Sequence, residues 1–337
     1  MIINTIAYPR AALIGNPSDG YFGKTIAFTF KNFRAEVMLY QTPELEILPN
    51  QIDHSVFGSI GHLVRDVKAY GYYGGIRLLK ATVKKFHDFC IGKGIELDDR
   101  NFTIRYKTTI PNRLGLAGSS AIITACMRAL MSFYTIEIPG PVLANLILSV
   151  EKDELGISAG LQDRVAIVYQ GLVYMDFDRE TIERQGYGNY RSLDPRQLPP
   201  LYIAYRSDLS EGSEVVHNSL RSRYERGDAD VLAAIEEWKS LTDRVRDLLL
   251  NGHTEEVGKL MDRNFDLRRS VTTISRENIE MVETARRAGA SAKFTGSGGA
   301  IIGTCADEQS FRKLRELMAE KNIEVIKPEI APPLGAC

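Results

Sequence analysis

The residues best suited to chemistry lie in the stretch PNRLGLAGSSA, residues 111–121. Gly115 and Gly118 allow a ligand to approach the main chain closely. Ser119 and Ser120 fall in the first turn of an expected helix, where unpaired N–H groups and the positive dipole end favour an anion. No lysine stands where a Walker loop requires one. Gly and Ser also serve as ordinary turn and capping residues, so the stretch reads either as a phosphate cradle of another architecture or as a plain cap. Three further features bear on the choice. Arg10 is a charge set in an apolar strand, where desolvation is costly without an anionic partner; a structural salt bridge or a strand-edge position would explain it equally. Glu151 and Asp163 are acids in apolar surroundings, and either alone reads as a cap or a solvated position. The run Gly296, Ser297, Gly298, Gly299 is a tight hairpin turn or a place where phosphate or substrate touches backbone.

The elements that must position these residues follow from periodicity. Phe102, Ile104, Tyr106, Thr108 and Ile110 alternate with Thr103, Arg105, Lys107 and Thr109, which predicts a half-buried strand before the loop. Ile122, Ile123, Cys126, Leu130 and Phe133 predict a helix after it. Upstream, residues 3–15 read as one buried strand interrupted at Pro9 and Arg10, and residues 26–30, 34–40 and 45–48 read as further antiparallel strands. Ile76, Leu79, Val83, Phe86 and Cys90 trace a helical stripe that Gly92 and Gly94 stop. An apolar helix from about 141 to 155 carries Glu151, and residues 171–177 return to strand. The polar stretch 178–200 ends in LPP and is the expected domain boundary. The second half reads as a strand at PLYIAY, several helices between about 211 and 288, strands on both sides of 296–299, a helix at 307–321 and a strand at 323–327. The basic residues Arg221, Arg223 and Arg226, and again Arg268 and Arg269, read as exposed helix faces.

With 337 residues the chain has room for two domains. Its 42 basic residues balance 43 acidic ones, so no global field marks it for nucleic acid or an anionic membrane. Cys90, Cys126, Cys305 and Cys337 are scattered without a CxxC pair, which favours free thiols over zinc or a disulfide framework. No apolar run of about 18 residues and no basic leader is seen, so a cytoplasmic protein without membrane or nucleic-acid partners is expected.

Three separated motifs, YPRAALIGNPSDGYFG, PNRLGLAGSSA and KFTGSGGA, occur in an order that resembles the GHMP kinases, a family of small-molecule kinases. GYYGGIRLL, AGLQDRVA and FDLRR extend the likeness over nearly the whole chain, towards the branch that phosphorylates a sugar acid. The resemblance implies an α+β architecture of two domains: an N-terminal mixed sheet and helix domain, residues 1–190, and a C-terminal ferredoxin-like domain, residues 191–337. It implies transfer of the γ-phosphoryl group of ATP to the anomeric hydroxyl of D-glucuronate, with Mg2+, in a monomer or homodimer.

Carried onto this chain, the family pattern sets the ATP phosphates against Pro111, Gly115, Leu116, Ala117, Gly118, Ser119, Ser120 and Ala121. Ser120 and Glu151 become magnesium ligands, and Asp163 the catalytic aspartate that orients the sugar hydroxyl and accepts its proton, with Arg10 beside it to keep it ionised. Asn16, Asp19, Asp163, Arg164, Gly296, Ser297 and Gly298 become substrate contacts. Asn16 stands where the galactokinase branch has a glutamate, and a neutral side chain there suits an anionic sugar. Arg164, Lys24 and Arg77 are the candidates to meet the sugar carboxylate. A kinase of the same family acting on another sugar or hydroxy acid, and a non-catalytic sugar and ATP sensor, are the rival expectations.

Overall fold

The computed structural model describes residues 1–49, 74–112, 114–206 and 216–334. Cys337, the Gly71-Tyr72-Tyr73 that opens GYYGGIRLL, Arg113 in the 111–121 loop and the start of the helical region at 211 lie outside them.

The opening strand of the sequence is two strands, β1 (Ile2–Ala7) and β2 (Arg10–Ile14), in different sheets. Pro9 has no N–H for a ladder, so the chain leaves one sheet at Tyr8 and enters the next at Arg10. β3 (Lys24–Thr29), β4 (Ala35–Thr42) and β5 (Glu46–Ile47) follow. Helix α1 (Gly75–Gly92) then leads into β6 (Asn101–Thr108). The first sheet has the order β1-β4-β6-β5. Its pairs are antiparallel except β5 with β6, which run parallel. The expectation of antiparallel pairing fails there because a helical crossover separates the two strands. In α1 the core-facing residues are Leu78, Leu79, Thr82, Phe86 and Cys90, while Ile76 and Val83 are only half buried. The stripe is thus turned by about one position from the sequence reading.

Helix α2 (Gly118–Tyr134) follows the 111–121 loop and packs on β1 and β4. Next come α3 (Gly140–Ser149), a π-turn at Val150–Glu154, α4 (Leu161–Tyr169) and β7 (Leu172–Asp176). The polar stretch expected to link domains is folded. Asp178 caps α5 (Arg179–Gln185) by accepting from the Thr181 N–H, and β8 (Asn189–Leu193) pairs with β7. The second sheet, β2-β3-β7-β8, is antiparallel throughout and extends past residue 190.

The second half contains β9 (Leu201–Arg206), α6 (Val216–Glu225), α7 (Ala229–Asn251), α8 (Val257–Val271) and α9 (Arg276–Arg287). It ends with β10 (Lys293–Phe294), β11 (Ala300–Thr304), α10 (Glu308–Ala319) and β12 (Ile323–Ile326). The third sheet is antiparallel with the order β10-β11-β9-β12. Together with its helices it has the split βαβ connectivity of a ferredoxin-like unit. The tail then returns to the first half, where Ile330 bridges Phe30 and the Ala331 N–H donates to the Thr29 carbonyl.

Helices α7 and α8 brace the end of β2. Trp238 on α7 is fully buried, and its indole N–H donates to the Asn264 carbonyl at 3.2 Å. The Asn264 side chain in turn accepts from the Gly15 N–H at 2.7 Å and donates to the Asn16 carbonyl at 2.9 Å. Replacing Trp238 with Ala removes a large core side chain and should cost about 3–5 kcal/mol. Urea unfolding of the variant reads that loss; a change below about 1 kcal/mol would show that the α7–α8 contact does not brace β2.

Candidate functional site

Arg10 stands at the meeting point of three distant segments. Its Nε donates to Asp163 Oδ1 at 2.7 Å, and Nη2 lies 2.6 Å from the same oxygen. Its Nη1 donates to the carbonyls of Gly115 (2.7 Å) and Thr295 (2.8 Å). The main chain reinforces the junction, with Arg10 N–H donating to the Leu116 carbonyl and Ala12 N–H to the Thr295 carbonyl. The sequence alternatives for Arg10 therefore resolve into a buried ion pair. The two glycine-rich turns touch: a Cβ on Gly296 would lie 2.4 Å from the Gly115 carbonyl oxygen and 2.9 Å from the Arg10 guanidinium. Only a residue without a side chain allows that approach.

The 111–121 loop has the geometry of an anion cradle. Gly115 (φ 62°) and Ala117 (φ 61°) are both left-handed, a conformation that is costly for alanine and is held here by the surrounding contacts. No side chain caps the first turn of α2, so its N–H groups remain open to a ligand. Ser119 Oγ donates to Glu151 Oε1 at 2.6 Å and Ser120 Oγ to Glu151 Oε2 at 3.2 Å. Glu151 reaches them from the π-turn that ends α3, a widening of the helix that re-aims its side chains. It is buried and paired with Arg164, whose Nε donates to Oε2 at 2.7 Å. Arg164 Nη1 also donates to the Gly160 carbonyl at 2.7 Å and lies 3.4 Å from Asp163.

The two aspartates differ electrostatically. Burial pushes the Asp163 carboxyl upward, but the charges of Arg10 and Arg164 and the Arg10 hydrogen bond outweigh it and hold the group below its usual range. Asp19, near Gly160, is pushed up to about 6, first by burial and then by the Asp163 charge.

The remaining expected residues fall in two groups. Pro111, Leu116, Ala121, Gly296, Ser297 and Gly298 lie in the two turns or beside them. Asn16 is buried, and its Oδ1 accepts from Lys293 Nζ at 2.5 Å. Its side chain is thus engaged with a buried lysine. Each of the three cations expected to meet a sugar carboxylate has a partner within the chain. Arg164 is taken by Glu151, and Lys24 is paired with Asp243 at 2.7 Å and Asp176 at 3.5 Å. Arg77 is exposed on α1 and donates to the Leu155 carbonyl at 3.2 Å.

Two buried cations were missed. Lys293 is buried and donates to the Ala12 and Phe294 carbonyls, each at 2.8 Å, besides Asn16. Arg268, expected on an exposed face, is 4% exposed and donates to the carbonyls of Gly296 (2.7 Å) and Ser297 (3.1 Å). Its neighbour Arg269 is exposed as expected. The signal for Arg268 was its spacing, since Val257, Met261, Asn264, Arg268 and Val271 form the buried stripe of α8.

Among the described residues no three His, Cys, Asp or Glu side chains gather as a metal site, and no helix is long and apolar enough to cross a membrane. Chemically, the site combines an open row of N–H groups, two hydroxyls on a carboxylate, and an ionised aspartate backed by guanidinium. It can hold a phosphoryl group beside a proton acceptor.

Residues 77–171 match the family model for the GHMP kinase N-terminal domain, and residues 245–324 match that for the GHMP kinase C-terminal region. The chain is 44% identical over 329 residues to probable glucuronokinase 2 of Arabidopsis thaliana, covering 96% of this chain and 89% of that protein. It is 43% identical to glucuronokinase 1 of the same plant over 333 residues, covering 97% and 91%. The fold matches the crystal structure of Methanococcus jannaschii mevalonate kinase with a TM-score of 0.71 at 20% identity, covering 98% of both chains.

The contact between the turns makes a direct test. Gly296→Ala must push Gly115 and Arg10 away, and should lower kcat/KM by at least about tenfold while moving the unfolding midpoint little, because a displacement of about 1 Å in positioning groups can cost 10²-fold. Steady-state kinetics with urea unfolding reads both; unchanged kinetics would mean that the contact does not position the site.

Proposed function

The chain belongs to the GHMP kinase family, and we propose that it transfers the γ-phosphoryl group of ATP to the anomeric hydroxyl of D-glucuronate, giving D-glucuronate 1-phosphate and ADP. The observation that carries this reading is the likeness to two glucuronokinases through both halves of the chain. The site is chemically suited to the same reaction.

In this reading the ATP phosphates lie along Gly115–Ala121, against the open N–H groups of α2. Asp163 orients the anomeric hydroxyl and takes its proton as the sugar oxygen bonds to the γ-phosphorus and the bond to ADP breaks. Its carboxyl is held low by Arg10 and Arg164, so it is a weak but fully ionised base near neutral pH. A weak base suffices where the transition state is loose and the nucleophile loses its proton late. The proton then leaves towards water, since the Asp163 side chain keeps 21% of its surface exposed. Arg10 faces the charge that spreads over the phosphoryl oxygens.

Ser120 and Glu151 suit Mg2+, because both offer hard oxygen donors and a magnesium ion bound with a nucleotide needs few protein ligands. Bound there, the ion would neutralise phosphate charge. Asp19 is the further sugar ligand, accepting a hydroxyl hydrogen bond while ionised.

Incubation with Mg-ATP and a panel of sugars and sugar acids, followed by product identification, tests the function: D-glucuronate 1-phosphate is expected, and phosphorylation confined to neutral sugars would overturn the substrate. Asp163→Asn should lower kcat by about 10²- to 10⁴-fold with nucleotide affinity retained, as read by single-turnover kinetics and ATP titration. Near-parent turnover would remove Asp163 from the proton-accepting role.

A second expectation concerns pH. Asp19 takes up a proton as pH falls through about 6, whereas Asp163 stays ionised, so kcat/KM for the sugar should decline on the acid side with a midpoint near 6. Asp19→Asn should lower kcat/KM and flatten that limb. A limb of unchanged midpoint in the variant would assign it to another group.

A further inference from the structure

Around the Arg10–Asp163 pair the buried cations fall into two kinds. Arg10 and Arg164 face carboxylates. Arg268 does not. Two carbonyls take two of its donors, its guanidinium lies 5.0 Å from the centre of the Phe294 ring, and among the described residues its buried Nε has no hydrogen-bond partner. A guanidinium has five N–H donors and keeps its charge at any ordinary pH. A buried charge without an ionic partner is costly, so its retention asks for a ligand that completes it.

Its location says which ligand. Arg268 grips Gly296 and Ser297, the turn whose other side is held by Arg10 against the 111–121 loop. The charges of Asp19 and Tyr21 act on it, and Asp19 is the group that the reading above sets against the sugar. Of its two carbonyl bonds, that to Ser297 is the longer and sits at the partly exposed edge, where an anion can replace a carbonyl.

We propose that Arg268 is the specificity-determining cation of the site and meets the carboxylate of the acidic sugar. The inference rests on the sugar-acid reading above and chooses Arg268 over Arg164 and Lys24, which already face carboxylates, and over Arg77, which is exposed on α1. A planar guanidinium recognises a carboxylate through two parallel N–H donors, and a neutral sugar leaves those donors unpaired. Discrimination thus arises as much from rejecting the neutral sugar as from attracting the acid.

The test compares D-glucuronate with its neutral isostere D-glucuronamide, in the parent enzyme and in Arg268→Gln and Arg268→Lys, with ATP saturation measured in each. The parent should favour the acid. In Arg268→Gln the ratio of kcat/KM values for acid over amide should fall by about 10²- to 10³-fold, chiefly through KM for the acid, with KM for ATP little changed. Arg268→Lys keeps the charge but loses the planar fork, so the ratio should lie between those of Gln and the parent; this variant decides the matter if the Gln variant does not fold. A residue that only braced the turn would lower turnover of acid and amide alike, and that result overturns the inference. A parent that uses glucuronate well but loses no preference in either variant also overturns it while leaving the substrate assignment standing. A parent that prefers the amide overturns both.

Discussion

The structure depends on one guanidinium. Arg10 binds Asp163, Gly115 and Thr295, which are 153, 105 and 285 residues away in sequence. Two turns and the first turn of α4 are thereby fixed to one rigid group. A guanidinium suits the task because its donors lie in one plane and cannot rotate independently, so a carboxylate and two carbonyls that satisfy it are also fixed relative to one another. Removing either member of a buried ion pair is worth about 3–5 kcal/mol, because the partner's charge is stranded. Geometry and stability at this point are the same interaction.

From that pair the charges alternate outward. Arg164 lies between Asp163 and Glu151, and Glu151 lies between Arg164 and the two serine hydroxyls. Each carboxylate in this row faces a cation, so it remains an acceptor despite burial. Asp19 is outside the row. It senses the Asp163 charge and its own burial more than the stabilising effect of Arg10, and its carboxyl rises to about 6. Two aspartates in one site thus acquire different tasks from their surroundings alone, one permanently ionised and one that titrates near working pH.

What could be read from the sequence was what is local. The glycine turns, the strand before the 111–121 loop and the helix after it are recorded in spacing and residue type, and the family resemblance set Arg10 beside Asp163 and Ser120 with Glu151. What could not be read depends on which faces meet. A single apolar run from residue 3 to 15 does not say that Pro9 passes the chain between two sheets. Glu46 and Ile47 do not reveal parallel pairing, because that follows from the crossover through α1. Arg268 and Arg269 look alike as adjacent basic residues; only the rotation of about 100° per residue puts one on the buried stripe and the other in water. Nor does the motif around Asn16 reveal that its amide oxygen is bound to Lys293, a residue 277 positions away.

The two cations that the sequence concealed behave differently when buried, and the difference places the charge. Burial pushes the Lys293 ammonium well below its ordinary range, helped by the nearby charges of Arg268 and Arg10. Three N–H donors offset part of that cost by meeting three oxygens, those of Ala12, Asn16 and Phe294. Burial lowers Arg268 only to about 10, so it remains a cation at neutral pH. Arg10 and Arg164 face Asp163 and Glu151, and the acid whose charge acts on Arg268 is Asp19. Three guanidinium groups thus stand with three carboxyl groups, and the ionisation of Asp19 at about 6 sets how far the Arg268 charge is balanced from within the chain.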